Sequence, residues 1–324
     1  MKIFLLIEPS ILTIPLIFKA TEKNDKIFII SSHIDRFTPM KDALNASSLF
    51  FQANTSDHTA ILHLVDKISK TFYIDAVIPG SFSSLFITSK ISAFLKKAGL
   101  SSEVAYQLSQ DNWLPRFQSS LDNTLNKNFL EKEYKVIGFS KNNAVHILSI
   151  IEKLTSLPSQ GGVSGYILSP EAPCSKELKP YFTKIIEKLS LNYAPFEAKI
   201  GISKNTLILR ELNVELAPPP ISELIEASMG IDYYDNVLRL FSYENLSLYK
   251  KQFLNAGSLF FNKSHHAQFL KQHPYVKKIK LYSSHEKYSC PILKGAGYAI
   301  LTQKNYETLK NQMIKLQLAF GYRL

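Results

Sequence analysis

Over its first hundred residues the chain alternates short apolar runs with longer stretches of helical period, a rhythm that only a small set of α/β folds accommodates. Lys2 to Ile7, Lys26 to Ser31, Leu49 to Gln52 and Ile74 to Ile78 read as strands, whereas His58 to Lys70 and Ser83 to Ala98 read as helices, the latter closed by Gly99-Leu100. The alternation predicts a doubly wound, mostly parallel sheet. No G-x-G-x-x-G follows the first strand, so the usual dinucleotide fingerprint is absent.

From Ser101 to Ser164 the chain turns more polar. The pattern predicts a helix from Ser109 to Leu125, a strand at Tyr134 to Phe139, a helix from Ala144 to Leu154 and a flexible loop at Ser159 to Gly165. Beyond it come a helix at Lys176 to Leu189, a hairpin, the Pro218-Pro219-Pro220 loop, a helix to Met229 and another at Tyr233 to Arg239. Strands follow near Ala256 to Phe261, Val276 to Tyr282 and Gly297 to Leu301, and the last helix spans Asn305 to Leu318.

The net charge of +11 suggests an anionic partner, either nucleic acid or a phosphorylated small molecule. The lysines are scattered and form no stripe, which argues against a nucleic-acid binder. Two cysteines without metal-like spacing, Cys174 and Cys290, fit a reducing cytoplasm better than secretion. The apolar start superficially resembles a signal peptide, but Glu8 and Pro9 interrupt it too early, and no stretch is long enough to cross a membrane.

The hairpin holds the most chemistry. Its strands are P-F-E-A-K-I-G-I at 195–202 and T-L-I-L-R-E-L-N at 206–213. The period of two puts Glu211 and Asn213 on one face, and a three-residue loop centred on Lys204 would set Glu197 opposite Glu211. Opposed carboxylates repel unless a cation joins them, and Mg²⁺ is held by one or two carboxylates together with phosphate oxygens and water. The plain alternative is an exposed hairpin with solvated acids.

P-F-E-A-K at 195–199, E-L-N at 211–213, I-S-E-L-I-E-A-S-M-G-I-D at 221–232 and G-A-G-Y-A-I-L at 295–301 together resemble the ATP-grasp superfamily, specifically its carboxylate–amine ligases. I-D-A-V-I-P-G at 74–80 and the A-G-L at 98–100 resemble the domain that precedes the grasp in those enzymes. The resemblance implies an α/β protein in three parts: an N-terminal parallel-sheet domain over 1–105, a reduced lid over 106–165 and an antiparallel-sheet core over 166–324. It implies ATP- and Mg²⁺-dependent amide formation from small-molecule carboxylate and amine substrates through an acyl phosphate. Glu197, Glu211 and Asn213 would hold the metal. Related folds often dimerise, so a homodimer is also expected, although no interface signature is visible.

The chain departs from the family at charged positions. The Asp-Lys pair that carries one phosphate-binding lysine corresponds to Asp111-Asn112, and the strand ending in a second lysine to Val136-Ile137-Gly138-Phe139. Lys135, Lys141 and Arg116 are the nearest cations that could restore phosphate contacts. After E-x-N the family has Pro and then an arginine, where this chain has Val214-Glu215. These losses raise the alternative of a catalytically inactive binding or scaffold protein.

Other groups carry less. His265-His266 and His273 lack ligand spacing and read as surface residues, Cys174 as a plain loop thiol, and Ser81, Ser83 and Ser84 as a helix start that either caps itself or holds an anion.

Overall fold

The computed structural model describes residues 1–32, 45–110, 113–114, 117, 132–155, 163–170, 175–203, 206–282 and 296–321. Arg116, Asp111-Asn112, Lys204, Cys174, Cys290 and most of the expected helix Ser109 to Leu125 lie outside them.

The chain forms two sheets. β1 (Ile3–Ile7), β2 (Lys26–Ser31), β3 (Leu49–Gln52) and β4 (Ala76–Pro79) make a parallel sheet in the order β3-β2-β1-β4. β5 (Lys132–Lys141), β6 (Ala144–Thr155), β7 (Val163–Leu168), β8 (Ala194–Ser203), β9 (Thr206–Asn213), β10 (Asn255–Phe261), β11 (Val276–Leu281) and β12 (Gly297–Gln303) make an antiparallel one in the order β11-β12-β10-β7-β6-β5-β8-β9. This is the α/β architecture with an antiparallel core that the sequence predicts. β5 and β6 lie in the middle of this sheet.

Several elements differ from expectation. Ala144 to Leu154 is strand β6, not a helix. Its apolar residues have helical spacing, but both faces of the sheet are covered: Leu148 and Ile151 enter one core, Val145 and Ile150 another. A strand buried on two sides loses the clean alternation that identifies it. Val163 to Gly165 begins β7 instead of ending a loop. The helix Ile14–Glu22, which the sequence reading does not include, follows the first strand; Pro15 sits in its first turn, where no intrahelical N–H bond is lost.

One core joins the two sheets. Phe4, Leu6, Leu16, Ile17 and Ile78 from the parallel side and Ile137, Ile151, Leu168, Phe260 and Ile300 from the antiparallel side pack on the helices Pro219–Met229 and Tyr233–Phe241. Each such fully buried Leu, Ile or Phe contributes about 1.5–3 kcal/mol. The first of these helices opens on two prolines and ends at Gly230, whose φ of 67° suits the left-handed cap. The second is capped by Asp232, which accepts from the Asp235 N–H at 2.9 Å. The opposite face of the sheet is covered by the helices Ser175–Leu189 and Tyr306–Ala319. Among the described residues no helix is long and apolar enough to cross a membrane.

Candidate functional site

The β8–β9 hairpin has a different register from the expected one. Ser203 pairs with Thr206, and the ladder shifts by one residue at a bulge, with Arg210 the inserted residue between Leu209 and Glu211. Glu197 therefore faces Asn213, and Glu211 faces Lys199. The two carboxylates are diagonal neighbours on one face and are not directly opposed.

β5 extends both rows. Lys135 lies beside Lys199, and Ile137 beside Glu197. One row across the sheet edge is thus Lys135–Lys199–Glu211, and the next is Ile137–Glu197–Asn213. Across the rows, Lys135 forms an ion pair with Glu197, their side chains 12% and 8% exposed. Lys199 pairs with Glu211 in a wetter position, at 34% and 38% exposure. Asn213 Nδ2 donates to Glu211 Oε1 at 2.6 Å. Lys135 Nζ also lies 5.5 Å from the centroid of the Tyr166 ring, within cation–π range. That ring's hydroxyl is pushed up to about 12 by burial, and further by the charge of Glu197.

Burial alone would raise the Glu211 carboxyl, but hydrogen bonds from Lys199 and Asn213 outweigh it and hold the group below its ordinary value. Glu215 behaves in the opposite way: burial and then the charge of Glu197 raise its carboxyl. The loop carrying Glu215 is fixed from beneath. The Ala217 N–H donates to the Tyr233 hydroxyl at 2.9 Å, and the Tyr234 hydroxyl donates to the Ala217 carbonyl at 3.2 Å.

Glu215 also borders a cleft of about 170 Å³ between the two sheets. Ser10–Leu12 and Pro79–Phe82, at the carboxyl ends of β1 and β4, form its other wall with Val214 and Leu216. The helix after β1 packs on one face of the parallel sheet through Leu16 and Ile17, and the helix after β4 on the other through Ile87 and Ile91, so the two chain exits diverge at the carboxyl ends of the strands, where open α/β sheets gather ligands. Gly80 permits the close approach there, since a Cβ would lie 2.5 Å from Pro9 Cα. Ser81 and Ser84 are occupied with the turn itself: Ser84 Oγ donates to the Ser81 carbonyl at 2.8 Å.

The structure thus brings together Lys135, Glu197, Glu211 and Asn213. Lys141 is not among them. It lies six residues along β5, about 20 Å away at strand rise, where its ammonium donates to the Glu244 carbonyl and burial lowers its pKa. His266 stacks flat on Phe320 at 4.2 Å, a packing role. Sequence reasoning missed Lys199 as a member of the site, although its alternation with Glu197 was in view.

The donor chemistry suits a hard cation that shares its shell with phosphate: two carboxylates and an amide on one face. Among the described residues no cluster of three or more His, Cys, Asp or Glu side chains could hold a metal alone. Both carboxylates already have ammonium partners, so a cation needs phosphate oxygens both as ligands and as new partners for the lysines.

No protein-family model matches the chain, and no curated protein matches it in sequence. Solved structures match over nearly the whole length. An L-amino acid ligase from Bacillus licheniformis superposes with a TM-score of 0.76 at 15% identity, covering 98% of this chain and 97% of that one. A phosphoribosylglycinamide synthetase from Anaerococcus prevotii gives 0.70 at 13%, with 97% of each chain covered. An N5-carboxyaminoimidazole synthetase from Staphylococcus aureus, complexed with ADP, gives 0.64 at 12%, with 98% of each. At such identities the likeness is one of fold: the chain has the fold of these three enzymes.

Proposed function

We propose that this chain joins a small-molecule carboxylate to an amine at the expense of ATP. The observation that carries this reading is the convergence of Glu197, Glu211, Asn213, Lys135 and Lys199 on one sheet face beside the inter-sheet cleft, in a fold shared with carboxylate–amine ligases. A substrate carboxylate oxygen attacks the γ-phosphorus and ADP leaves. The amine nitrogen then attacks the acyl carbon, inorganic phosphate departs, and the nitrogen gives up a proton.

In this scheme Lys135 and Lys199 turn from their carboxylates to the phosphate oxygens. Glu197, Glu211 and Asn213 would hold Mg²⁺, which screens charge on the transferring group when bound. Glu215, reaching both the cleft and the lysine rows, orients the amine through its ammonium hydrogens. The substrates occupy the cleft between the N-terminal sheet and the core. Arg116 keeps its proposed phosphate role, and the cysteine usage is consistent with a reducing cytoplasm.

A second reading, a non-catalytic binding or scaffold protein, is favoured by Glu215. It puts a carboxylate where the resembled family has an arginine, beside two lysine–glutamate pairs that neutralise each other. Calorimetric titration of ATP with Mg²⁺ and then with EDTA, followed by an ADP-release screen over amino acids, separates the two. Metal-dependent binding and amine-dependent release support the ligase. Binding without release under any substrate pair supports the second reading.

A further inference from the structure

The two walls of the inter-sheet cleft are held by different means. On one side Glu8, directly after β1, has a left-handed φ of 48° and is tied by the Ser31 hydroxyl and the Ser32 N–H, which fixes the course of the chain into Ser10–Leu12. A residue other than glycine is strained in that region and stays there only where its surroundings hold it. On the other side the Tyr233 and Tyr234 hydroxyls anchor Ala217, two residues after Glu215. A site braced on both walls spends little of its binding energy on ordering itself.

The cleft combines one acid with apolar walls. Ile11, Leu12, Pro79, Phe82, Val214 and Leu216 line it beside Glu215 and the hydroxyls of Ser10 and Ser81. Phe82 is 37% exposed, so its ring is accessible to a ligand. At about 170 Å³ the cleft is smaller than the roughly 300–1,000 Å³ of pockets that take drug-sized molecules, and its ligand is correspondingly small.

Glu215 differs from its neighbours in how it is balanced. Lys135 and Lys199 are ion-paired with Glu197 and Glu211. The same lysines act on Glu215 through charge, and burial first, then the charge of Glu197, outweighs them and raises its carboxyl. A carboxylate in that position is relieved by a cation and opposed by a further anion.

We propose that the cleft binds a primary ammonium on a small apolar body, docked on Glu215, and discriminates against amines that carry a carboxylate next to the nitrogen. The apolar body fills the wall from Ile11 to Leu216, and the ammonium donates to the Glu215 carboxylate. In a free α-amino acid the carboxylate sits on the carbon that bears the nitrogen, so docking its ammonium on Glu215 brings two anions together. The inference rests on the ligase reading for the role of this ligand, which there is the amine substrate, but its binding requires no nucleotide.

The test is a ligand-observed NMR titration of the full chain at pH 7, without ATP, using isopentylamine, isopentanol, leucinamide and leucine. Isopentylamine and leucinamide should bind, and isopentanol and leucine should each bind at least about tenfold more weakly than their partners, a loss of about 1.4 kcal/mol or more. In Glu215→Gln, with unchanged circular dichroism, isopentylamine should bind no better than isopentanol. The net charge of +11 gives amines no general attraction to this chain, so a preference for them reports the cleft. The proposal is overturned if no probe binds, if isopentanol or leucine matches its amine partner, or if Glu215→Gln keeps the preference. ADP release, measured separately with amino acids as carboxylate donors and isopentylamine as the amine, tests the ligase reading: binding with the expected preference but without release would remove that reading and leave the ammonium site standing.

Discussion

Glu8 in the parallel sheet and the Glu197–Glu211 pair in the antiparallel one are acids at strand ends or edges, but they are satisfied in different ways. Glu8 accepts from the Ser31 hydroxyl at 2.6 Å, the Ser32 N–H at 2.7 Å and the Thr55 hydroxyl at 2.6 Å. These donors are neutral and belong to the fold, so they tie the ends of β1 and β2 to the segment after β3. Glu197 and Glu211 are held by ammonium groups. A lysine can exchange one anion for another without breaking the ladder, whereas a turn built on neutral hydrogen bonds cannot release its acceptor cheaply. The first arrangement is a structural clasp, and the second has the properties of a site.

Substitutions at four glutamates sharpen this contrast. Glu197→Ala should have the largest effect on stability, because it leaves the Lys135 ammonium almost buried without its carboxylate. The expected loss is about 3–5 kcal/mol by urea unfolding, and a Lys135→Met/Glu197→Leu double variant should recover most of it. Glu8→Ala should cost about 1–3 kcal/mol through the orphaned Ser32 N–H and hydroxyl groups. ATP affinity should not change; a loss there would remove the distinction between clasp and site.

The pH dependence of the clasp has a definite sign. Burial would raise the Glu8 carboxyl, but its four hydrogen bonds outweigh burial and lower it. A carboxyl depressed in the folded state stabilises the protein above its ordinary value of 4.5. That contribution disappears as the pH falls through the lowered value. Acid unfolding of the wild type should therefore be steeper than that of Glu8→Gln.

Glu211→Ala breaks the wetter pair and should cost no more than about 1 kcal/mol in stability. Its effect should fall on nucleotide binding, with Mg²⁺-dependent ATP affinity reduced about tenfold or more. Unchanged affinity would remove Glu211 from the metal site. The smallest effect is expected of Glu215→Gln. A carboxyl raised in the folded state costs stability once the pH exceeds its ordinary value, so the amide should stabilise the protein slightly at pH 7 and not at pH 4. A thermal shift at both pH values checks this.

Much of the parallel sheet was legible because its strands are short apolar runs bounded by polar turns, and Lys26–Ser31 and Leu49–Gln52 lie where the sequence puts them. β6 was not, since two cores claim its residues and erase the alternation. The acids of the site were legible as residue types, but their pairing was not. The bulge at Arg210 is marked by no glycine or proline; it shifts the register by one residue, and the Ser203–Thr206 closing pair by another, so that Glu197 faces Asn213 instead of Glu211. The partner of Glu197 was hidden for another reason: Lys135 comes from a strand sixty-two positions away, and only sheet order brings it near.

The most direct test of the exchangeable lysine site is Mn²⁺ binding by electron paramagnetic resonance, with and without ATP, in the wild type and in Lys135→Met/Lys199→Met. In the wild type, Mn²⁺ should bind weakly alone and tightly once ATP offers the lysines new partners. The double variant should bind Mn²⁺ without nucleotide and hold ATP poorly. Equal Mn²⁺ affinity in all four conditions would contradict the account.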